Sequence, residues 1–189
     1  MNLKHEIMKK KAIILSIILA FCYSFVWAQS ATYRQVNEEG ISNLVFANQS
    51  ISKGEESKFT LKETFDADET IYARAYFPQA ISSYGLASNE KIIVVAYIDG
   101  KQVDRVYITP KPEWDQMLVY VMNTGDDDFS RLANELYYID SGTHTLTISV
   151  GLQRYGYMET VIKDDGTITK HKVDKVVVIS QSDIEINVE

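Results

Sequence analysis

The chain has 189 residues, 19 Lys and Arg against 26 Asp and Glu, a formal net charge of −7 and a single cysteine. A chain of this size supports one ordinary domain with a self-sustaining core. The acidic balance excludes a nucleic-acid backbone as the main partner, since such binding is driven by clustered Lys and Arg. One cysteine excludes an internal disulfide.

Residues 1–28 carry the pattern of a secretory signal peptide. Lys9, Lys10 and Lys11 make a basic patch, an apolar run follows over 12–27, and Val26-Trp27-Ala28 closes it at a cleavable position. Met8-Lys9-Lys10-Lys11 is by itself a complete basic start. The rival reading is a membrane anchor. The run falls short of the roughly 20 residues a span requires, and Ser16, Cys22 and Ser24 interrupt it. A lipoprotein signal wants a small residue before its cysteine, and Phe21 precedes Cys22, so Cys22 reads as one more apolar position.

Cleavage after Ala28 would leave no cysteine, and hence no thiolate zinc site or cysteine nucleophile. It would also remove four lysines and one glutamate, leaving 15 basic and 25 acidic residues and a net charge of −10. The expectation is an exported protein with no integral membrane segment after cleavage. Its place is the periplasm, the outer-membrane surface or the extracellular medium.

Residues 29–40 read as an N-terminal extension and 41–189 as one domain. Short β-branched and aromatic runs recur between turn signals, and Pro78, Pro110 and Pro112 all fall between runs. Residues 41–50 are a first strand. Residues 58–65 alternate strictly, with Phe59, Leu61 and Phe65 on one parity, which predicts a second. Residues 70–77 put Ile71, Ala73, Ala75 and Phe77 on a core face and Tyr72, Arg74 and Tyr76 on the other. Residues 91–98 are apolar on both faces, as in a central strand covered on both sides.

Asp99-Gly100 between two β runs predicts a two-residue hairpin turn. It sets Ile98 opposite Lys101, Tyr97 opposite Gln102 and Ala96 opposite Val103. The return strand, 101–109, is more polar and belongs near an edge. Residues 116–122 are another doubly apolar strand. Phe129, Leu132, Ala133 and Leu136 then recur at helical spacing, predicting one short helix over 129–137 with Asp127 or Asp128 at its cap. Residues 143–152 are a strand with His144, Leu146, Ile148 and Val150 inward. Residues 155–163 and 167–172, around Asp164-Asp165-Gly166, read as a second hairpin, and 174–180 with 183–188 as a last strand bent at Gln181.

The pattern predicts an all-β fold, a single antiparallel β-sandwich of immunoglobulin-like or jelly-roll-like type with that one helix. Tyr97-Ile98-Asp99-Gly100-Lys101-Gln102-Val103 resembles the C–C′ hairpin of bacterial immunoglobulin-like and carbohydrate-binding sandwiches. Ser141-Gly142-Thr143-His144-Thr145-Leu146-Thr147-Ile148 resembles the approach to the F strand in the same modules, and the signal is similar to those of Bacteroidetes-type secreted proteins. The resemblance implies a fold; function has to come from a site.

Chemistry is thin. His144 and His171 are far apart in sequence, lack metal-ligand spacing, and read as a packed and a solvated histidine. No Gly-x-Ser-x-Gly elbow occurs. Paired carboxylates for glycoside hydrolysis would have to come from separate strands. Asp126, Asp127 and Asp128 repel one another, and a calcium ion would relieve that repulsion. The plainer reading is a solvated loop with one Asp capping the helix, since the spacing matches no EF-hand, so no cofactor is expected.

The aromatics are the stronger theme. Tyr72, Arg74 and Tyr76 on one strand face, with Trp114, Tyr155 and Tyr157 in or near loops, are the candidate ligand-binding residues. Flat amphipathic rings suit protein or glycan recognition, and the plain alternative is that tyrosine is a good strand residue. The expectation is a non-catalytic module that binds a protein or a glycan. A structural subunit, pairing through residues 31–39 or the C-terminal strand, and a hydrolase with scattered carboxylates are the alternatives.

Overall fold

A computed structural model describes residues 33–122, 128–162 and 168–189, with the side chains of 157–162, 169 and 171–173 outside the description. The expected signal, residues 29–32, Asp126, Asp127, the Asp164-Asp165-Gly166 turn and the side chains of Tyr157 and His171 therefore lie outside the described residues. Among those described, no helix is long and apolar enough to cross a membrane.

Among the described residues the strands are β1 (Leu44–Ala47), β2 (Thr64–Asp66), β3 (Ile71–Tyr76), β4 (Lys91–Ile98), β5 (Lys101–Ile108), β6 (Gln116–Met122), β7 (Gly142–Ile162) and β8 (Ile168–Val188), and the α-helix α1 spans Leu132–Tyr138. They form a three-stranded sheet, β1-β3-β6, and a five-stranded sheet, β2-β8-β7-β4-β5. Neighbours are antiparallel except β2, which runs parallel to β8. The molecule is mainly β, as the short alternating runs predicted.

One apolar cluster joins the sheets. Ile71, Ala73, Ala75 and Phe77 are fully buried and share it with Ile92, Val94 and Ala96 of β4 and Leu146, Ile148, Val150 and Leu152 of β7. Each such large side chain contributes roughly 1.5–3 kcal/mol. Ile93 and Val95, on the far face of β4, are also buried, in keeping with its doubly apolar run and its place between β7 and β5. β5 is the sheet edge that its polarity predicted.

The Asp99-Gly100 turn is present, with φ of 48° and 77° at its two positions. Ile98 opposes Lys101 and Tyr97 opposes Gln102, but Ala96 faces Asp104, because the register shifts between Ala96 and Tyr97. The extra residue makes a bulge that the turn could not foretell.

Three expectations are corrected. Residues 58–65 are not a strand: Glu56–Lys58 is a 3-10 turn, and only Thr64–Asp66 joins a sheet. Buried hydrogen bonds of Glu56 hold this stretch over β3, and they override the alternation. The helix starts at Leu132, leaves Ala133 exposed, and has Arg131 at its cap with no side-chain capping bond. The Arg131 N–H donates instead to Asp104 Oδ2 at 2.6 Å. The supposed second hairpin is the outer half of a single one, because β7 and β8 run 21 residues each and stay paired from Gly142↔Val188 to Ile162↔Ile168. β4 accompanies β7 only as far as Gln153, so the rest is a two-stranded ribbon.

Candidate functional site

The outer face of β3 was expected to be wet, and it is covered. Tyr76 is fully buried, Arg74 is 8% exposed, and Tyr72 is half-buried. Segment 51–58 lies across them, with Ile51 and Glu56 themselves buried. Arg74 Nε donates to the Ile51 carbonyl at 2.8 Å, and Nη2 donates to the same oxygen. The Tyr76 hydroxyl donates to Glu56 Oε1 at 2.9 Å. Burial lowers the Arg74 pKa. Burial, then the bond to Glu56, pushes the Tyr76 phenol well above its ordinary value. These two side chains are structural.

Beside them lies an ionic group. Lys53 Nζ sits 2.7 Å from Asp115 Oδ1, and Arg34 Nη2 sits 3.1 Å from Asp115 Oδ2, with its guanidinium 5.9 Å from the Tyr76 ring. Burial acts to raise the Asp115 pKa, and the bonds and charges of Lys53 and Arg34 more than offset it, so the carboxyl titrates below its ordinary value. Asp115 is spoken for.

Around the edge of β6 these elements enclose an open groove of about 470 Å³. Trp114, Tyr120, Glu113 and Asp128 line it together with Lys53, Arg74, Gln116, Leu118 and Ile108. The register of β3 against β6 places Tyr72 opposite Tyr120, and the two rings pack edge to face at 5.6 Å. Trp114 packs one side against the core, with Lys111 5.8 Å from its ring. Gln116 is 6% exposed, and its Oε1 is buried with no hydrogen-bond partner. A buried amide oxygen without a partner costs about 1–3 kcal/mol.

A larger cavity of about 620 Å³ lies between β1 and β8. Its Ser182, Lys62 and Asn43 are all engaged in bonds within the chain. The groove at β6 brings together the rings, and it is the better candidate.

Of the predicted ligand-binding residues, the groove unites Arg74 and Trp114, with Tyr72 behind Tyr120. Tyr76 is walled off. Tyr155 is exposed elsewhere, at the root of the ribbon, where its N–H donates to Glu90 Oε1 at 3.0 Å. Tyr157 pairs with Val173 in that ribbon. Tyr120, Gln116 and Lys53 were missed, and only the β3–β6 register, which no local signal encodes, could have found them.

Of the three clustered aspartates, Asp128 alone is described. It does not cap α1; its Oδ2 accepts from the Tyr120 N–H at 2.8 Å while its own N–H donates to the Tyr120 carbonyl at 2.9 Å. Among the described residues no three His, Cys, Asp or Glu converge to hold a metal ion. His144 bridges two turns, Nδ1 to Asp99 Oδ2 at 2.7 Å and Nε2 to the Asp140 carbonyl at 2.8 Å.

No family model, no curated protein and no solved structure matches the chain.

Proposed function

We propose that this is an exported, non-catalytic binding module that captures a protein or a glycan at or beyond the cell envelope, in a β-sandwich of immunoglobulin-like or jelly-roll-like type. The observation that carries it is the groove at β6, lined by Trp114 and Tyr120, with Tyr72 packed edge to face against Tyr120. Flat rings supply contact area at small entropy cost, and a few fixed polar groups supply orientation. Its charged groups support binding over catalysis, because Arg74, Lys53 and Asp128 each hold main chain or a counter-ion in place.

The test screens two probes on the full chain, a soluble oligosaccharide panel and a displayed library of linear nine-residue peptides. Trp114→Ala and Tyr120→Ala should each weaken capture at least tenfold while leaving the fold intact by circular dichroism. Capture that survives both changes places the ligand elsewhere and overturns the reading.

A further inference from the structure

Resting on that groove as the binding site, we propose that its ligand is an extended peptide segment of a partner protein, which adds to β6 as a fourth strand of the β1-β3-β6 sheet. The argument starts from where the main chain of β6 points. The Phe77 N–H donates to the Asp115 carbonyl, and the Tyr76 N–H donates to Asn43 on the β1 side. Backbone groups alternate along a strand, so the odd positions of β6 (Met117, Val119, Val121) bond β3. The even positions Gln116, Leu118 and Tyr120 turn their N–H and C=O outward. Asp128 takes both groups of Tyr120. Among the described residues those of Gln116 and Leu118 have no partner, and both residues line the groove.

Apart from the outer ribbon of β7 and β8, which pairs with no third strand among the described residues, the remaining edges are closed in ways proteins use to prevent strand addition. On β1, the Ser182 hydroxyl bonds both the Leu44 N–H and its carbonyl, and the Lys62 N–H takes the Phe46 carbonyl. β2 is three residues long. β5 carries Lys101, Asp104 and Arg105, is bulged against β4, and has Asp104 holding the start of α1. β6 reads Gln-Met-Leu-Val-Tyr-Val-Met, with no charge and no proline.

Two N–H and two C=O groups spaced along an extended strand are complemented by another extended main chain, which a sugar does not provide. The ligand is short, because Asp128 stops pairing at Tyr120 and the Trp114 turn stops it before Gln116. The residue opposite Leu118 shares the outer face with Leu118 and Tyr120. Its two neighbours point the other way, toward Met117 and Ile108, and are therefore apolar. A second copy of β6 paired antiparallel about Leu118 would set Gln116 against Tyr120, whose bonds Asp128 already holds. The shifted pairing of Gln116 with Leu118 is open to a copy, and a dimer in sedimentation that the peptide does not dissociate would overturn the inference.

The experiment takes a peptide selected from the nine-residue library and resynthesises it with each backbone nitrogen methylated in turn. Methylation at alternate positions should weaken binding roughly tenfold per lost bond and be tolerated at the positions between. The Leu118 amide, without a partner among the described residues, should exchange at least tenfold more slowly with peptide bound. Leu118→Pro removes an N–H used by no partner among the described residues and should abolish peptide binding. The exchange measurement on the unsubstituted chain decides the question should that variant misfold. A selected peptide that tolerates methylation throughout, or leaves Leu118 exchange unchanged, overturns strand addition. So does a library that yields no binder, or an oligosaccharide that takes the groove instead. In each case the groove reading stands if Trp114→Ala still abolishes capture of the peptide or the sugar, and falls with the inference if it does not.

Discussion

The Tyr76 hydroxyl is one of two donors on Glu56 Oε1, the other being the Gly54 N–H at a longer 3.3 Å, while Glu56 Oε2 has none. Tyr76→Phe keeps the ring and leaves the buried Glu56 carboxyl with the longer Gly54 bond in place of the phenol's, so it should cost roughly 1–3 kcal/mol in urea unfolding with the denaturant slope unchanged. Binding in the groove should be spared, which separates Tyr76 from Trp114. A second residue, His144, sets a pH response. The hydrogen bond to Asp99, then that to the Asp140 carbonyl, raises its pKa above the ordinary 6.5. The same contact with His144 lowers the Asp99 pKa below 3.8. A raised histidine contributes fully below 6.5 and fades as pH climbs through its folded value. A depressed aspartate contributes above 3.8 and fades as pH falls through its own. The melting temperature difference between the native chain and His144→Ala should thus be largest between about pH 4 and 6.5 and shrink toward pH 9. A difference that grows above pH 7 would contradict this.

At the scale of elements, β7 and β8 approach closely at Gly151. A Cβ there would lie 2.4 Å from Val176 Cγ1 and 3.3 Å from the Val177 carbonyl oxygen. Gly151→Ala should cost about 1–3 kcal/mol by overpacking, and adding Val176→Ala should recover part of it, because Val176 is 48% exposed and can be trimmed cheaply. Thermal unfolding of the three variants checks both statements. Elements were legible where one local rule governs. Asp99-Gly100 fixed its turn because φ > 0 at both positions admits few other sequences, and β3, β4 and β7 followed from runs whose core faces, His144 apart, hold Ile, Leu, Val, Ala and Phe. Legibility failed where a distant partner decides. Residues 58–65 alternate like a strand, yet Tyr76 and Arg74 draw the preceding turn over β3. That same cover turned an expected wet face into a buried one. The length of β7 and β8 was hidden because Gly156, with φ of 60°, and the register shift beside it look like a turn in sequence but only bulge the ladder. The groove was half legible: Trp114 and Arg74 stood out by residue type, whereas Tyr120 gained meaning only from the β3–β6 register.

At the scale of the whole molecule, the two sheets are tied where the chain passes from one to the other. Ser42 still belongs to the five-stranded sheet, bridging β8 through its N–H to Ile179 at 2.9 Å and its carbonyl from Gln181 at 2.8 Å. Two residues later Leu44 belongs to the three-stranded sheet and has left β8. The Ser182 side chain fills the place of the departed strand, accepting from the Leu44 N–H at 2.8 Å and donating to its carbonyl at 3.2 Å. Ser180 makes a similar bond to the Asn43 carbonyl, but that oxygen also accepts from the Tyr76 N–H. The two serines therefore differ in what their loss would strand. Ser182→Ala leaves both polar groups of a 4%-exposed Leu44 without partners. Water from the adjoining 620 Å³ cavity can reach part of that gap, which puts the cost at about 1–2 kcal/mol. Ser180→Ala leaves the Asn43 carbonyl bonded and should cost less than about 1 kcal/mol. Urea unfolding of both variants measures the difference, and equal losses would mean that the joint is held by packing rather than by the hydroxyl. Because β6 lies at the far edge of the same sheet from β1, neither change should alter capture in the groove.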